Sequence, residues 1–370
     1  MFKAFLFIVI VIAVAGIGGC AYLQHPKFGP SIESIRSAAV LASPNYVDGE
    51  FRNLEPTPIL TEDIGFAASL FKYLTEEDPE GLRPNSPIPT VKTDLKALDK
   101  DEDTVIWLGH SSYYVQLGGR RILIDPVFGT YAAPVPFAVK VFEGANPYGV
   151  EDMPDIDYLL ITHEHWDHLE YDTIKALEPK IRHAIGALGI GAYLALWGYP
   201  ESKIHEADWD DRFDIDPGLT IHALPARHFA RRLMATNQTL WVGFALASDS
   251  RRLFFSGDSG YGSHFAEIGR KFGGFDVVAL DCGQYNPRWA NIHMNPEEAT
   301  QAAQDLRAQN LIPAHVGKFT LSNHAWDEPF RRLAEASGEK PYRLLTPRIG
   351  EPLPLAALPQ SLPKWWEAVK

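Results

Sequence analysis

The stretch Thr162-His163-Glu164-His165-Trp166-Asp167-His168-Leu169 reads THEHWDHL and follows directly on the apolar run Ile156–Ile161. Three histidines and an aspartate crowd into positions 163–168. A zincin helix needs two histidines four apart, as in HExxH. The residue four after His163 is Asp167, so that arrangement is excluded. His163 and His165 are two apart, which puts them on one side of an extended segment. Asp167 and His168 are adjacent and must point in different directions. Ligands that diverge in pairs suit two metal ions better than one.

Working outward, further metal-capable residues stand at the ends of other strand-like runs. Leu219–Leu224 runs toward His228, Arg252–Phe255 toward Asp258, and Leu311–Ala314 toward His315. Taken singly, each reads as an ordinary structural histidine or turn aspartate. Together they place chemistry on four strand-end loops, where a rigid scaffold presents it. Thr104–Leu108 is a further strand and leads to His110. Tyr113–Leu117 and Arg121–Ile124 form a hairpin through Gly118-Gly119. Leu240–Ala247 and Phe275–Leu280 complete the strands. A helix begins at Asp172–Leu177. A second spans Pro296–Gln309, with Asn295 as N-cap, Pro296 at the first position and two glutamates in the first turn. Hairpins mixed with strand–helix units predict an α/β sandwich of two mixed sheets with helices outside.

The order HxHxDH, His, Asp, His resembles the metallo-β-lactamase superfamily over roughly residues 104–350. The fold this implies is the αββα sandwich. Within it, WLGHSSYYVQ with ILIDPVF, THEHWDHLEYDTI, GQYNPRW with HMNPEEA and IPAHVGKF resemble the branch of N-acylphosphatidylethanolamine-hydrolysing phospholipase D. Phe51-Arg52-Asn53 is similar to that branch too, while Trp166 stands where it commonly has tyrosine. The resemblance implies two Zn²⁺ ions. His163, His165 and His228 would hold one, Asp167, His168 and His315 the other, and Asp258 would bridge them. It implies His293 as the acid that protonates the leaving alcohol. His110, Arg288 and Tyr285 are candidate substrate-binding residues, Arg288 through bidentate contact with phosphate. A paired-cation site needs no serine or cysteine nucleophile, and no GxSxG elbow occurs.

The chain has 370 residues and a formal net charge of −13. That acidity argues against a nucleic-acid surface. With 46% hydrophobic and 22% charged residues, it has the composition of a globular protein with a sizeable core. Two cysteines, Cys20 and Cys282, cannot form a disulfide framework. Cys282, after a strand-like run, reads as a buried thiol. Lys3 precedes an uncharged run from Ala4 to Gly19 that ends at Cys20, the layout of a signal peptide. Ile17-Gly18-Gly19-Cys20 resembles a bacterial lipobox, with Cys20 as the lipidated residue. An uncleaved anchor extending to Leu23 is the alternative. Either tethers the protein to a membrane of the bacterial cell envelope.

The expected organisation is a signal or anchor at 1–23, a proline-rich tether and arm at 24–103, a hydrolase domain at 104–350 and a C-terminal tail at 351–370. A short helix is expected at Asp63–Leu74. The aromatic stretches Phe128–Phe142 and Lys364-Trp365-Trp366 read as core packing and C-terminal docking rather than as an acyl groove or a surface that dips into the membrane interface. The function expected is hydrolysis of an N-acylated phospholipid to a phosphatidic acid and an N-acylethanolamine. A metal-dependent lactonase is the alternative, and a non-catalytic envelope scaffold is the alternative of another class. The sequence leaves the oligomeric state open.

Overall fold

The computed structural model describes residues 18–61, 67–68, 71, 75, 79–233 and 235–369. The expected Asp63–Leu74 helix lies largely outside them. Two seven-stranded sheets face each other. Numbered along the chain, the strands are β1 (Thr104–Trp107), β2 (Tyr113–Leu117), β3 (Arg120–Ile124), β4 (Ile156–Ile161), β5 (Ile181–Ala187), β6 (Ile204–Ala207), β7 (Arg212–Phe213), β8 (Leu219–Pro225), β9 (Val242–Ser248), β10 (Arg252–Phe255), β11 (Val277–Asp281), β12 (Asn310–Ala314), β13 (Arg343–Leu344) and β14 (Pro352–Pro354). The first sheet has the order β14-β1-β2-β3-β4-β5-β6, the second β13-β12-β11-β10-β9-β8-β7.

Direction within the sheets decides where the loops emerge. In the second sheet β8, β9 and β10 alternate in direction, and β10 to β13 are parallel. The C-terminal ends of β8, β10, β11 and β12 therefore leave from one edge. In the first sheet β1, β2 and β3 alternate, and β3 to β6 are parallel. The ends of β1, β3 and β4 likewise share an edge. The central parallel strands are buried along almost their whole length, as strands covered on both faces must be. Across the sandwich the Tyr113 ring of β2 meets Phe255 of β10 at 5.0 Å.

Crossover helices join the parallel strands. They are α1 (Tyr171–Leu177), α2 (Ile190–Leu196), α3 (His264–Phe272), α4 (Pro296–Asp305) and α5 (Glu328–Ala336). α4 carries the expected cap: Asn295 Oδ1 accepts from Glu298 N, and Glu298 answers with a bond from Asn295 N. It stops at Asp305 rather than Gln309. Arg307 takes a φ of 55°, which turns the chain so that Gln309 N bonds Phe275 O. Leu240 and Phe275 precede their strands instead of joining them. Leu240 N is tied to Leu188 O, and Phe275 makes only an isolated bridge to Ala308. The Gly118-Gly119 hairpin turn has both φ values positive, as a type I′ turn requires.

The segments flanking the sandwich belong to the same core. Ile35, Val40, Phe51, Ile88 and Leu95 of the arm are buried in it. The stretch 351–370, expected as a tail, is built in as well. Pro352–Pro354 pairs with β1, Trp366 stacks on Phe330 of α5, and Trp365 meets the same ring edge-on. Both tryptophans are buried, as expected of core aromatics. Trp366→Ala should lower the free energy of unfolding by about 3–5 kcal/mol in urea titrations. A loss under ~1 kcal/mol would show that the C-terminal segment packs only superficially.

Candidate metal centre

Every residue predicted as a ligand lies on the shared edge. The loop after β4 carries His163, His165, Asp167 and His168. β8 leads to His228, β10 to Asp258 and β12 to His315. The ligand atoms of His163, His165, His228 and Asp258 all fall within 4.8 Å of one another. So do those of His110, Asp167, His168 and His315, and those of Asp258, His293 and His315. Asp258 stands between the first two groups. Its Oδ2 is 3.7 Å from both His163 Nε2 and His228 Nε2, while its Oδ1 is 3.1 Å from His168 Nε2 and from His315 Nδ1. His165 Nδ1 lies 3.1 Å from His228 Nε2, and Asp167 Oδ2 lies 3.6 Å from His168 Nε2.

These groups fit metal ions. His163 Nε2, His168 Nε2 and Asp258 Oδ1 are buried and have no hydrogen-bond partner. Buried polar atoms left without partners are costly unless an ion takes up the site. Burial holds His163, His228 and His315 well below the usual imidazole range, and His165 at about 3, so these rings present lone pairs. His168 goes the other way. Burial pulls it down, but Asp258 and Asp167, with the Asp125 hydrogen bond, outweigh this and hold it well above its usual value. The two carboxylates thus call for positive charge at the centre. Imidazole and carboxylate donors suit zinc, and also iron or manganese.

A second layer orients the ligands, and sequence reading missed most of it. Asp125, at the end of β3, accepts from His168 Nδ1 at 2.8 Å and from Thr162 N and Oγ1. His228 Nδ1 is 2.9 Å from Ile292 O. Asn53 of the arm clasps the His228 backbone: its Nδ2 donates to His228 O and its Oδ1 accepts from His228 N. Arg232 is buried over the Trp166 ring at 3.6 Å and donates to Glu164 O and Leu169 O, closing the metal loop on itself. Asp281 Oδ2 lies 2.8 Å from His293 Nδ1. The usable signal was an aspartate at the end of an apolar run, as in ILIDP and VVALDC. His110, Asp125 and His315 all hold positive φ, the kind of backbone strain that collects at functional sites. Gly283, two residues after Asp281, has to be glycine, because a Cβ there would sit 1.8 Å from His315 O.

The remaining predicted residues separate. His293 lines a pocket of about 260 Å³ over the ligands, together with Ile59, Leu60, Phe229, Trp289, Ile292 and Leu321. His110 does not line it. Its Nε2 lies 2.7 Å from Asp167 Oδ2, behind the ligand, so it positions Asp167 rather than meeting substrate. Tyr285 and Arg288 are also outside the lining. The Tyr285 hydroxyl donates to Glu328 on α5, and its ring stacks on His324. Arg288 is buried in the turn at 287–289, whose backbone takes the arm through Thr61 N. Cys282 is buried and Cys20 exposed.

Asp125→Asn should weaken zinc binding about 10- to 100-fold in calorimetric titration. Unchanged affinity would mean packing alone orients His168. Lys318, buried with Nζ on Val127 O and Leu108 O, is pushed down to about 7 by burial. Its folded pKa lies below the unfolded value near ~10.4, so the unfolded chain holds the extra proton between the two. Stability should therefore rise with pH from about 7 to ~10, and Lys318→Met should flatten that slope in unfolding curves taken across the range.

Residues 120–316 match the β-lactamase superfamily domain. An uncharacterised protein of Mycobacterium tuberculosis is 35% identical over 342 residues, 91% of each chain. The N-acyl-phosphatidylethanolamine-hydrolyzing phospholipase D 1 of Caenorhabditis elegans is 33% identical over 243 residues, 62% of this chain and 68% of that one. The solved structure of Igni18, a metallo hydrolase from Ignicoccus hospitalis, superposes with a TM-score of 0.53 at 22% identity, covering 68% of this chain and 97% of that one. With the sandwich and a cluster of histidines and aspartates at its shared edge, the chain belongs to the metallo-β-lactamase superfamily and is a metal-dependent hydrolase.

Proposed function

We propose that the protein is a dinuclear zinc phosphodiesterase of the phospholipase D type. Its substrate is an N-acylated phosphatidylethanolamine-like lipid, and its products are a phosphatidic acid and an N-acylethanolamine. The observation that carries this reading is the apolar wall over the ligands. Ile59 and Leu60 from the arm, Phe229, Trp289, Ile292 and Leu321 enclose the approach to His165, Asp167, Asp258 and His315. A pocket with charged groups at its floor and apolar sides suits a phosphodiester that carries hydrocarbon. The relative from Caenorhabditis elegans, named for this activity, supports the same choice.

His163, His165 and His228 would hold one ion, Asp167, His168 and His315 the other, with Asp258 between them. Two divalent ions, when bound, supply the acidity that turns water into a nucleophile at neutral pH and positive charge opposite the phosphoryl oxygens. The chain's own residues do the rest. His293 lines the pocket with Nδ1 fixed by Asp281, which leaves Nε2 to protonate the departing ethanolamine oxygen as the P–O bond breaks. Burial lowers the His293 pKa, but Asp281 outweighs it and keeps the ring above its usual value, suited to an acid. The apolar wall excludes bulk water from the leaving group.

The N-terminal segment, with its uncharged run from Ala4 and its exposed Cys20, tethers the enzyme to a membrane of the cell envelope. Among the described residues no helix is long and apolar enough to cross a membrane.

Metal analysis should return about two ions per chain, and Asp258→Asn should cost at least roughly 100-fold in turnover. His293→Ala should lose about 10²- to 10⁴-fold with an alkyl leaving group and far less with p-nitrophenolate, which needs no proton. Full turnover after complete metal removal would refute the mechanism. Hydrolysis of lactones with no phosphodiester cleavage would replace it with the lactonase reading.

A further inference from the structure

Ten large hydrophobic side chains are exposed among the described residues, and they are not scattered evenly. Tyr22, Leu23 and Ile32 belong to the segment that continues from the apolar N-terminal run. Phe137, at 83% the most exposed of the ten, sits in the loop Ala133-Pro134-Val135-Pro136-Phe137. That loop is fastened to the same segment: Tyr22 Oη and Lys27 Nζ both donate to Pro134 O, at 2.5 and 2.8 Å. Leu196 closes α2, whose neighbour Trp197 donates to Pro26 O. Leu233 tips the hairpin Arg231–Thr236, whose Arg232 donates to Lys27 O. Six of the ten therefore lie on residues 22–32 or on elements bonded to them. Single exposed hydrophobics need no explanation, but a cluster of them marks a surface made to be covered.

We propose that this face is the enzyme's seat on a lipid bilayer, with the Ala133–Phe137 loop dipping into the interface beside the tether. The inference rests on the proposed tether and adds a second, independent contact to it. The occupant follows from where the chain leads. Residues 4–17, apolar and uncharged, join the described structure at Gly18, four residues before Tyr22, whose hydroxyl bonds the Pro134 loop. A segment bound for a membrane would bring that loop to the same surface. The chemistry of the face agrees. Glu33 and Asp172 are exposed at its rim, Lys27 is engaged with Tyr22 and Pro134, and the chain carries a net charge of −13. With Arg231 exposed beside these acids the face carries no basic excess, so apolar insertion is assigned as the driving force.

The face also adjoins the metal loop. A groove of about 440 Å³ between the two fastened segments is lined by Tyr22, Lys27, Tyr131, Pro134, Trp166 and Tyr171. Trp166 stands between ligands His165 and Asp167, with Phe28 against one side of its ring and Arg232 over its face. Seating this face on a bilayer would hold the metal loop close to the lipid surface.

The test uses the full chain in phosphatidylcholine vesicles. An environment-sensitive dye is placed at Phe137→Cys, at Leu196→Cys and at Ser250→Cys, which is exposed in the β9–β10 turn at the opposite edge. The unsubstituted chain, labelled in parallel, gives the contribution of Cys20. Quenching by nitroxide-bearing lipid at 137 and 196, with shielding from iodide, and the reverse at 250, is the expected result. Equal iodide access at 137 and 250 would overturn the proposal. So would shielding at 137 that follows protein concentration instead of lipid, which would assign the face to a second copy of the chain. In a second arm, Phe137→Asp should raise KM for vesicle-borne substrate about tenfold and leave turnover of a soluble bis-aryl phosphodiester unchanged. An unchanged KM for vesicles would count against the seat. The labelling arm needs no turnover, so it fails or succeeds separately from the phosphodiesterase reading.

Discussion

Five imidazoles and two carboxylates share a seam from which water is largely excluded, and they cannot satisfy one another. His163 Nε2, His168 Nε2 and Asp258 Oδ1 are buried without hydrogen-bond partners, and burial drives most of the rings toward their neutral form. A cation resolves this frustration by accepting the lone pairs and balancing the carboxylates together. The rest of the molecule is arranged to hold that seam. Strand direction in two sheets sends the ends of seven strands to a common edge. Asp125, Asn53 and Asp281 then fix the rings from behind, each by hydrogen bonds to a ligand or its neighbour.

The N-terminal arm is part of this device. Asn53 binds both backbone groups of His228, and Lys27 O receives Arg232, whose guanidinium covers Trp166 in the metal loop. Ile59 and Leu60 wall the pocket above. An arm that leads from the proposed membrane tether therefore also shapes the centre and its entrance. In the proposed seating, Lys27 is shared by the two roles: its Nζ fastens the Pro134 loop and its carbonyl receives Arg232 over the metal loop.

Much of the site could be read from the chain because each ligand ends an apolar run, and apolar runs are local. THEHWDHL carries four ligands in a single turn, and the expected strands before His228, Asp258 and His315 are present with ends shifted by at most one residue. The failures have physical causes. α4 is shorter than its pattern because Arg307 turns the chain to bring Gln309 to Phe275, a contact 34 residues away in sequence. The segment 351–370 looked like a tail because proline-rich strands carry little periodic signal, yet it pairs with β1. Tyr285 and Arg288 resembled substrate ligands by neighbourhood alone, and α5, invisible in that neighbourhood, claims Tyr285.

The sequence by itself determined the chemistry: which donors exist, that they alternate or diverge within one turn, and that they follow strands. Residue type and spacing are enough for that, because side-chain direction in extended chain has a fixed period. Only the tertiary structure decided which of them meet. Whether His110 faces substrate or backs Asp167, whether Asp281 reaches His293, and whether a proline-rich loop lies beside the N-terminal segment all depend on contacts between residues far apart in the chain. Such contacts are fixed by sheet order and packing, for which no local pattern exists.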